Sequence, residues 1–194
     1  RFLEKFKKLL FLILIFFTSN TVIADSVKLE LLNYNEGLKS SSAFFIQTDG
    51  ETLEEGIVYI GSKRIKIEYN KPQKITIVLS EKKGMYINHE LKETQYFNTH
   101  KSFVKIFFKI LTGEDFFEDS DIKILNSSII IKNNFDINDT LYTTKVIYEN
   151  DPIKLRKIKV KENDWGFEIG FFNHNNLETL NKDFFSLINP YILN

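Results

Sequence analysis

Residues 55–79, EGIVYIGSKRIKIEYNKPQKITIVL, hold three short apolar runs separated only by turn-like or proline-containing breaks, and no other stretch limits the fold as tightly. In the middle run Ile65, Ile67 and Tyr69 alternate with Arg64, Lys66 and Glu68; in the next, Ile75, Ile77 and Leu79 alternate with Lys74, Thr76 and Val78. A period of two gives each segment one apolar and one wet face. Pro72 has no N–H for a ladder and disfavours helix at Lys71, so it belongs at the joint between two strands. The stretch therefore reads as a meander of antiparallel strands, a pattern that any half-buried sheet would share.

The flanking sequence extends the sheet. Residues 25–39 carry Val27, Leu29, Leu31, Leu32 and Leu38 among charges and read as an amphipathic N-terminal helix. A strand over 41–48 follows, and Asp49-Gly50 turns it into a second over 51–60. Gly61-Ser62-Lys63 leads into the alternating pair, and Lys82, Lys83 and Gly84 lead into 85–88 and a hairpin to 91–97. The pattern breaks at 100–112, where Phe103, Phe107, Ile110 and Leu111 recur at helical spacing. Val104 and Phe108 widen that stripe, and Lys101, Lys105 and Lys109 lie opposite. Gly113 closes this helix, and 114–121 reads as an acidic surface loop containing Phe116 and Phe117.

Strands resume over 122–125, 128–132, 141–148, 153–161 and 165–172, the last with Trp165, Phe167, Ile169 and Phe171 on one face. The apolar phase slips between Leu155 and Ile158, which predicts a bulge. A polar loop over 173–181 and a strand or extended tail over 183–194, fixed by Pro190, complete the chain. The sum is ten or eleven strands and two helices in a single domain, residues 25–194. Its 19 Phe and 8 Tyr against 8 Gly favour strands over flexible joints.

Residues 1–24 read as a cleaved signal peptide: Arg1, Lys5, Lys7 and Lys8, an apolar run over 9–17, and Val22-Ile23-Ala24 before a cut that leaves Asp25 first. The apolar run is too short to span a bilayer, and an uncleaved anchor is the alternative. The chain opens on Arg1 rather than Met, so residue 1 is not taken as the natural start. Removing four of the 26 basic residues and one of the 26 acidic ones leaves a net charge of about −3. Such a balance supplies no basic field for nucleic acid. Together with the leader, it points to a soluble exported protein of a bacterial envelope.

Chemistry-bearing motifs are sparse. With 0 Cys there is no disulfide, thiol nucleophile, Cys-based metal site or lipidated cysteine. His89, His100 and His174 lie in turn-like contexts, have no partner at metal or triad spacing, and read as surface residues. His89-Glu90 lacks the second histidine of a zinc-protease helix. There is no nucleophile elbow, P-loop or dinucleotide glycine pattern. Glu118, Asp119 and Asp121 read as a solvated loop tip rather than a cation site. An enzyme is not expected, nor is a cofactor.

One order of features stands out: a signal peptide, a helix, A-F-F-I-Q before a D-G hairpin, E-G-x-x-Y-I, R-I-K-I-E-Y-N-K-P-Q-K-I-T-I-V-L, and an inserted apolar helix. It resembles LolA, the periplasmic carrier of outer-membrane lipoproteins, most strongly over residues 41–111. The resemblance implies a strongly curved, incomplete antiparallel β-barrel with an N-terminal helix and an inserted helical lid. It implies acylated lipoproteins as cargo, received from an inner-membrane lipoprotein-releasing ABC transporter and passed to an outer-membrane acceptor. It places Ile65, Ile67, Tyr69, Ile75, Ile77 and Leu79 along the cavity, and Phe103, Phe107, Phe108 and Ile110 in the lid. The same ten residues would serve equally as plain core.

The physical demand is clear. Burying an acyl chain of about 14 methylenes at roughly 0.8 kcal/mol each is worth on the order of 11 kcal/mol. A carrier thus needs an apolar concavity, a removable cover and no covalent chemistry. One departure from the family is the arginine of an Arg-Pro pair thought to latch the lid, whose position falls at Gly61 or Ser62. Lys63 and Arg64 are the nearest cations, and a lysine lacks arginine's fork of donors. The alternative reading is an envelope lipid-binding or stress-sensing half-barrel without carrier activity. LolB, the related acceptor, shares the half-barrel but is anchored through a lipidated cysteine, and this chain has none.

Overall fold

The computed structural model describes residues 26–113, 115–118, 120–177 and 180–192. The expected leader and its cleavage site lie outside the described residues, as do Glu114 and Asp119 of the acidic loop. After helix α1 (26–38) come strands β1 (Ser41–Thr48), β2 (Leu53–Gly61), β3 (Arg64–Lys71), β4 (Ile75–Ser80), β5 (Lys83–Asn88) and β6 (Glu93–Asn98). Helix α2 (Val104–Thr112) intervenes before β7 (Asp121–Leu125), β8 (Ser128–Ile137), β9 (Thr140–Asn150), β10 (Ile153–Glu162) and β11 (Trp165–Asn176). All eleven strands form one antiparallel sheet in the order β6-β5-β4-β3-β2-β1-β11-β10-β9-β8-β7. Every neighbour is a sequence neighbour except β1 and β11, which join the two halves.

The sheet does not close. Strands β6 and β7 are its two edges, and the segment carrying α2 is the chain's passage from one to the other. This mainly β, incomplete barrel with two helices is the predicted architecture. Its curvature has local causes. Register shifts occur at Glu55/Gly56, Ser42/Phe44 and Leu155/Lys157, the last where the apolar phase slips, and each bulge adds twist. Gly56 lets the sheet fold tightly: a Cβ there would stand 2.1 Å from the Glu68 carbonyl oxygen and 2.7 Å from the Phe45 ring. Phe45 in turn meets Tyr69 edge-on at 5.0 Å.

The inner face and both helices share one core that includes Val27 and Leu31 of α1, Ile106 and Ile110 of α2, and Ile129, Val146 and Ile158 of the sheet. Tyr34 of α1 uses its hydroxyl to accept from the Leu155 N–H (2.9 Å), and His174 bonds the Leu155 carbonyl oxygen (2.9 Å), so the backbone groups freed by the β10 bulge are paired. Buried backbone groups need such partners.

Several expectations are corrected. Phe116 and Phe117 are buried to 1 % exposure rather than lying in a surface loop, Phe116 stacking on Phe135 at 6.2 Å. Strand β11 runs on to Asn176, taking in part of the predicted polar loop, and β8 extends to Ile137. The predicted helix over 100–112 is split into a 3-10 turn, Thr99–Lys101, and α2. The tail is not a strand. A 3-10 turn at Lys182–Phe185 opens a segment that lies on the outer face of β2–β6, where Phe185, Val78, Met85 and Ile87 make a second small core. Arg64 Nη1 donates to the Phe185 carbonyl oxygen (3.2 Å), Tyr96 to that of Leu187 (3.1 Å), and Thr94 to Asn189 Oδ1 (3.0 Å). His89 is not a free surface residue either, because it bridges Thr76 Oγ1 and the Tyr191 hydroxyl, 2.8 Å from each.

Candidate functional site

Between α2 and the inner face of β1, β3, β4 and β11 lies a cleft of ≈ 140 Å³. Strand alternation sends Ile67 and Tyr69 of β3, and Ile77 and Leu79 of β4, into it from the floor. Phe103, Val104 and Phe107 enter from the helix side, and Trp165, Phe167 and Ile169 of β11 form the far wall. The aromatic rings make the contact between lid and sheet. Phe107 stacks on Phe167 at 5.6 Å, while Phe103 meets Phe167 at 5.9 Å and Trp165 at 6.1 Å edge-on. Such geometry adds about 0.5–1.5 kcal/mol per pair beyond area burial.

Six of the ten residues expected from the sequence therefore share the cleft: Ile67, Tyr69, Ile77, Leu79, Phe103 and Phe107. Ile65 and Ile110 are wholly buried in the core instead. Phe108 faces a separate hollow on the other side of α2, beside Lys63, Lys105 and Lys109. Ile75 lies half-buried by the groove under the C-terminal segment. Trp165, Phe167 and Ile169 are lining residues that the sequence does not single out. Their alternation is visible there, but only the β1–β11 pairing brings that face opposite β3 and α2.

Polar groups are confined to the mouth: Gln47, Asp49, Thr52 and Glu54. The Tyr69 hydroxyl donates to Gln47 Oε1 (3.2 Å) and Gln47 Nε2 to Glu54 Oε2 (2.8 Å). Burial pushes the Tyr69 hydroxyl far above the ordinary tyrosine range, so it stays neutral. Burial, and then the neighbouring Asp49 charge, raises the Glu54 carboxyl. Asp49 is held low because its Oδ1 accepts the Thr52 and Glu51 N–H groups (2.8 and 3.0 Å) and the Thr52 hydroxyl (3.0 Å). These bonds fix the β1–β2 loop. Among the described residues no group of three His, Asp or Glu could hold a metal ion.

The cover is built to depend on its packing. Helix α2 has nine residues, VKIFFKILT, four of them β-branched, with no acidic residue in its first turn and no side-chain cap at Phe103. An isolated helix of that length and composition is unstable in water. Beyond its apolar face, two amides tie the lid segment: Asn35 Nδ2 donates to the Ile110 carbonyl oxygen (2.9 Å), and Asn138 Nδ2 to that of Lys101 (3.0 Å). Arg64 points to the outer face and takes no part. At the C-terminal end Gly113 is extended, φ −88°, and its N–H bonds the Lys109 carbonyl oxygen. It is glycine because a Cβ would lie 2.6 Å from that oxygen.

No family model matches the chain, and no curated protein does. Among solved structures it is similar to an uncharacterized conserved protein from Thermus thermophilus, with a TM-score of 0.51 and 10 % identity over 82 % of this chain and 95 % of that one. MucB, in a complex with MucA(peri), aligns with a TM-score of 0.44 and 8 % identity over 83 % of this chain and 58 % of that one, so the chain spans less than two thirds of MucB. At such identities the first likeness concerns the fold alone.

Proposed function

We propose that the protein is a periplasmic carrier of the LolA kind, which shelters the acyl chains of lipoproteins between α2 and the inner face of its open barrel. The observation that carries this reading is the cleft itself. Its floor, roof and far wall are apolar or aromatic, its few polar groups stand at the mouth, and its roof is a helix held chiefly by the same apolar contacts an acyl chain would replace. At ≈ 140 Å³ the closed cleft is below the roughly 300–1,000 Å³ of ordinary ligand sites, so loading requires α2 to swing away. The chemistry is binding and release, without catalysis, metal or cofactor. In this reading the cargo enters from an inner-membrane lipoprotein-releasing transporter, leaves to an outer-membrane acceptor, and the carrier works as a monomer behind a cleaved leader.

The test measures uptake of a triacylated lipoprotein from inner-membrane vesicles containing its transporter, followed by native mass spectrometry. A complex with one lipoprotein, reduced at least tenfold by Ile67→Asp or Phe107→Asp while the circular dichroism of the sheet is kept, is the expected result. Binding of free fatty acid without uptake of any lipoprotein would make the protein a lipid-binding module instead. No binding of either would end the reading.

A further inference from the structure

The outer face of the sheet is treated differently in its two halves. Over β2–β6 it is covered by the segment 180–192. Over β7–β11 it is bare among the described residues, and lysine is its commonest side chain, beside the acids Asp121, Asp136, Glu149 and Glu168. Asp121, Lys132, Lys145, Lys159 and Glu168 stand directly opposite one another on β7, β8, β9, β10 and β11. Three cations thus sit on adjacent strands within about 10 Å, given a strand spacing of roughly 4.8 Å. Like charges directly opposite destabilise a sheet. Lys157 and Lys159 share Glu168, whereas Lys132 and Lys145 make no ion pair among the described residues. Lys161, on the same face, enlarges the field, while Lys123 lies 3.5 Å from Asp121 and is paired with it.

Apolar side chains lie in the same surface. In the row beside these lysines, between Lys123 and Lys157, are Ile130 and Ile147, directly paired and half-buried. At the margins stand Leu125, 55 % exposed, and Phe44 and Ile46, 40 % and 38 % exposed, with Phe44 stacked on Phe172 at 5.9 Å. The half with this excess of positive charge belongs to a chain whose formal net charge is +0. A repulsive row that folding does not need is explained by something negative outside the molecule.

We infer that the bare outer face of β7–β11 docks on an anionic lipid bilayer. The chemistry favours a charged plane over a specific acidic peptide. Apart from Arg156, which forks onto Glu149 of the same sheet, the cations are lysines, which act as point charges. They are spread across four strands, a hollow beside Lys159 and Lys161 reaching only the end of the face at residues 48–50 and 164–168, and exposed aliphatic and aromatic side chains at the margins suit the boundary between headgroups and acyl chains. The face lies on the opposite side of the sheet from the cleft, so the inference does not rest on the carrier reading.

The experiment is flotation of the protein from residue 25 onward with vesicles of phosphatidylcholine alone or with about 30 % phosphatidylglycerol, at low and high salt. The expected result is at least tenfold stronger binding to the anionic vesicles, lost as salt shortens the screening length. Lys132→Glu with Lys145→Glu should lower that binding at least tenfold and leave uptake of a fluorescent fatty acid in the cleft unchanged. Lys132→Gln with Lys145→Gln is the milder variant and should lose binding in part. Equal binding to both vesicle types, or full binding by the reversed variant, overturns the inference. So does capture of polyglutamate with no vesicle binding, which would assign the face to an acidic protein.

Discussion

At the scale of single residues, two side chains inside the molecule decide how the helices are held and how the fold responds to acid. Asn35 is 6 % exposed and gives its amide to the Ile110 carbonyl oxygen, while its own Oδ1 has no partner among the described residues. Asn35→Ala would orphan one carbonyl but remove one orphan oxygen, so the cost falls at the low end of about 1–3 kcal/mol. Asn35→Asp should cost more, because a carboxylate cannot donate to Ile110. Urea denaturation of the two variants checks that order. His174 bonds the Leu155 carbonyl oxygen, so its Nε2 carries the proton, and burial lowers its pKa, with the charges of Arg156 and Lys154 acting in the same direction against the bond to Leu155. The unfolded chain then takes up a proton near pH 6.5 while the folded protein does not. Stability is present in full above that pH and is lost as the pH falls from there toward the lower folded value. His174→Gln keeps a donor and abolishes titration, so its urea midpoint should fall less than the wild type's between pH 7.5 and 5.5; equal falls would show that His174 carries none of the dependence. Neither residue is legible in the sequence. Asn35 is one polar residue in an amphipathic stretch, and His174 reads as surface because its partner lies 19 residues away, across the β10–β11 pairing.

At the scale of elements, legibility follows how local the cause is. The alternation of β3, β4 and the first part of β11, the stripe of α2 and the phase slip in β10 are written in neighbouring residues, and each predicts its element. The segment 180–192 has Phe184, Phe185 and Leu187 but no period, because its order comes from Val78, Met85 and Ile87 over ninety residues earlier. Phe116 and Phe117 mislead for the same reason: acidic neighbours speak for solvent, and only Phe135 and the core speak for burial. Ending the chain at residue 179 tests the strap directly. It would uncover Val78, Met85 and Ile87, now 2 %, 2 % and 5 % exposed, at about 1.5 kcal/mol or more for each side chain re-exposed. For a domain of this size the melting temperature should fall on the order of 10 °C. Fatty-acid uptake by the inner cleft should persist, and an unchanged melting temperature would mean that the segment is not part of the folded unit.

At the scale of the whole molecule, the sequence foretells an incomplete barrel with two helices but not its strand order, since the β1–β11 pairing that joins the halves depends on curvature accumulated over nine other strands. That pairing leaves edges β6 and β7 apart, with α2 as the bridge, and makes the closed state a compromise. Phe107 is buried against Phe167, and the 37 % exposed Phe103 covers Trp165 and Phe167 in part, only while the helix is down. Lifting it exposes those faces, and each methylene that takes their place returns roughly 0.8 kcal/mol, so a long chain can hold open what an empty cleft cannot. In the proposed carrier, α2 must then open without the sheet coming apart. Amide exchange of residues 104–112 should proceed through openings several kcal/mol cheaper than those of β1, β10 and β11, whose protection reports global unfolding. A bound fatty acid should change protection in α2 and at the cleft ends of β3 and β4 while leaving β1–β11 as it was. If α2 exchanges as slowly as the central strands, the helix leaves only when the barrel unfolds, and a lid that cannot move alone cannot admit an acyl chain.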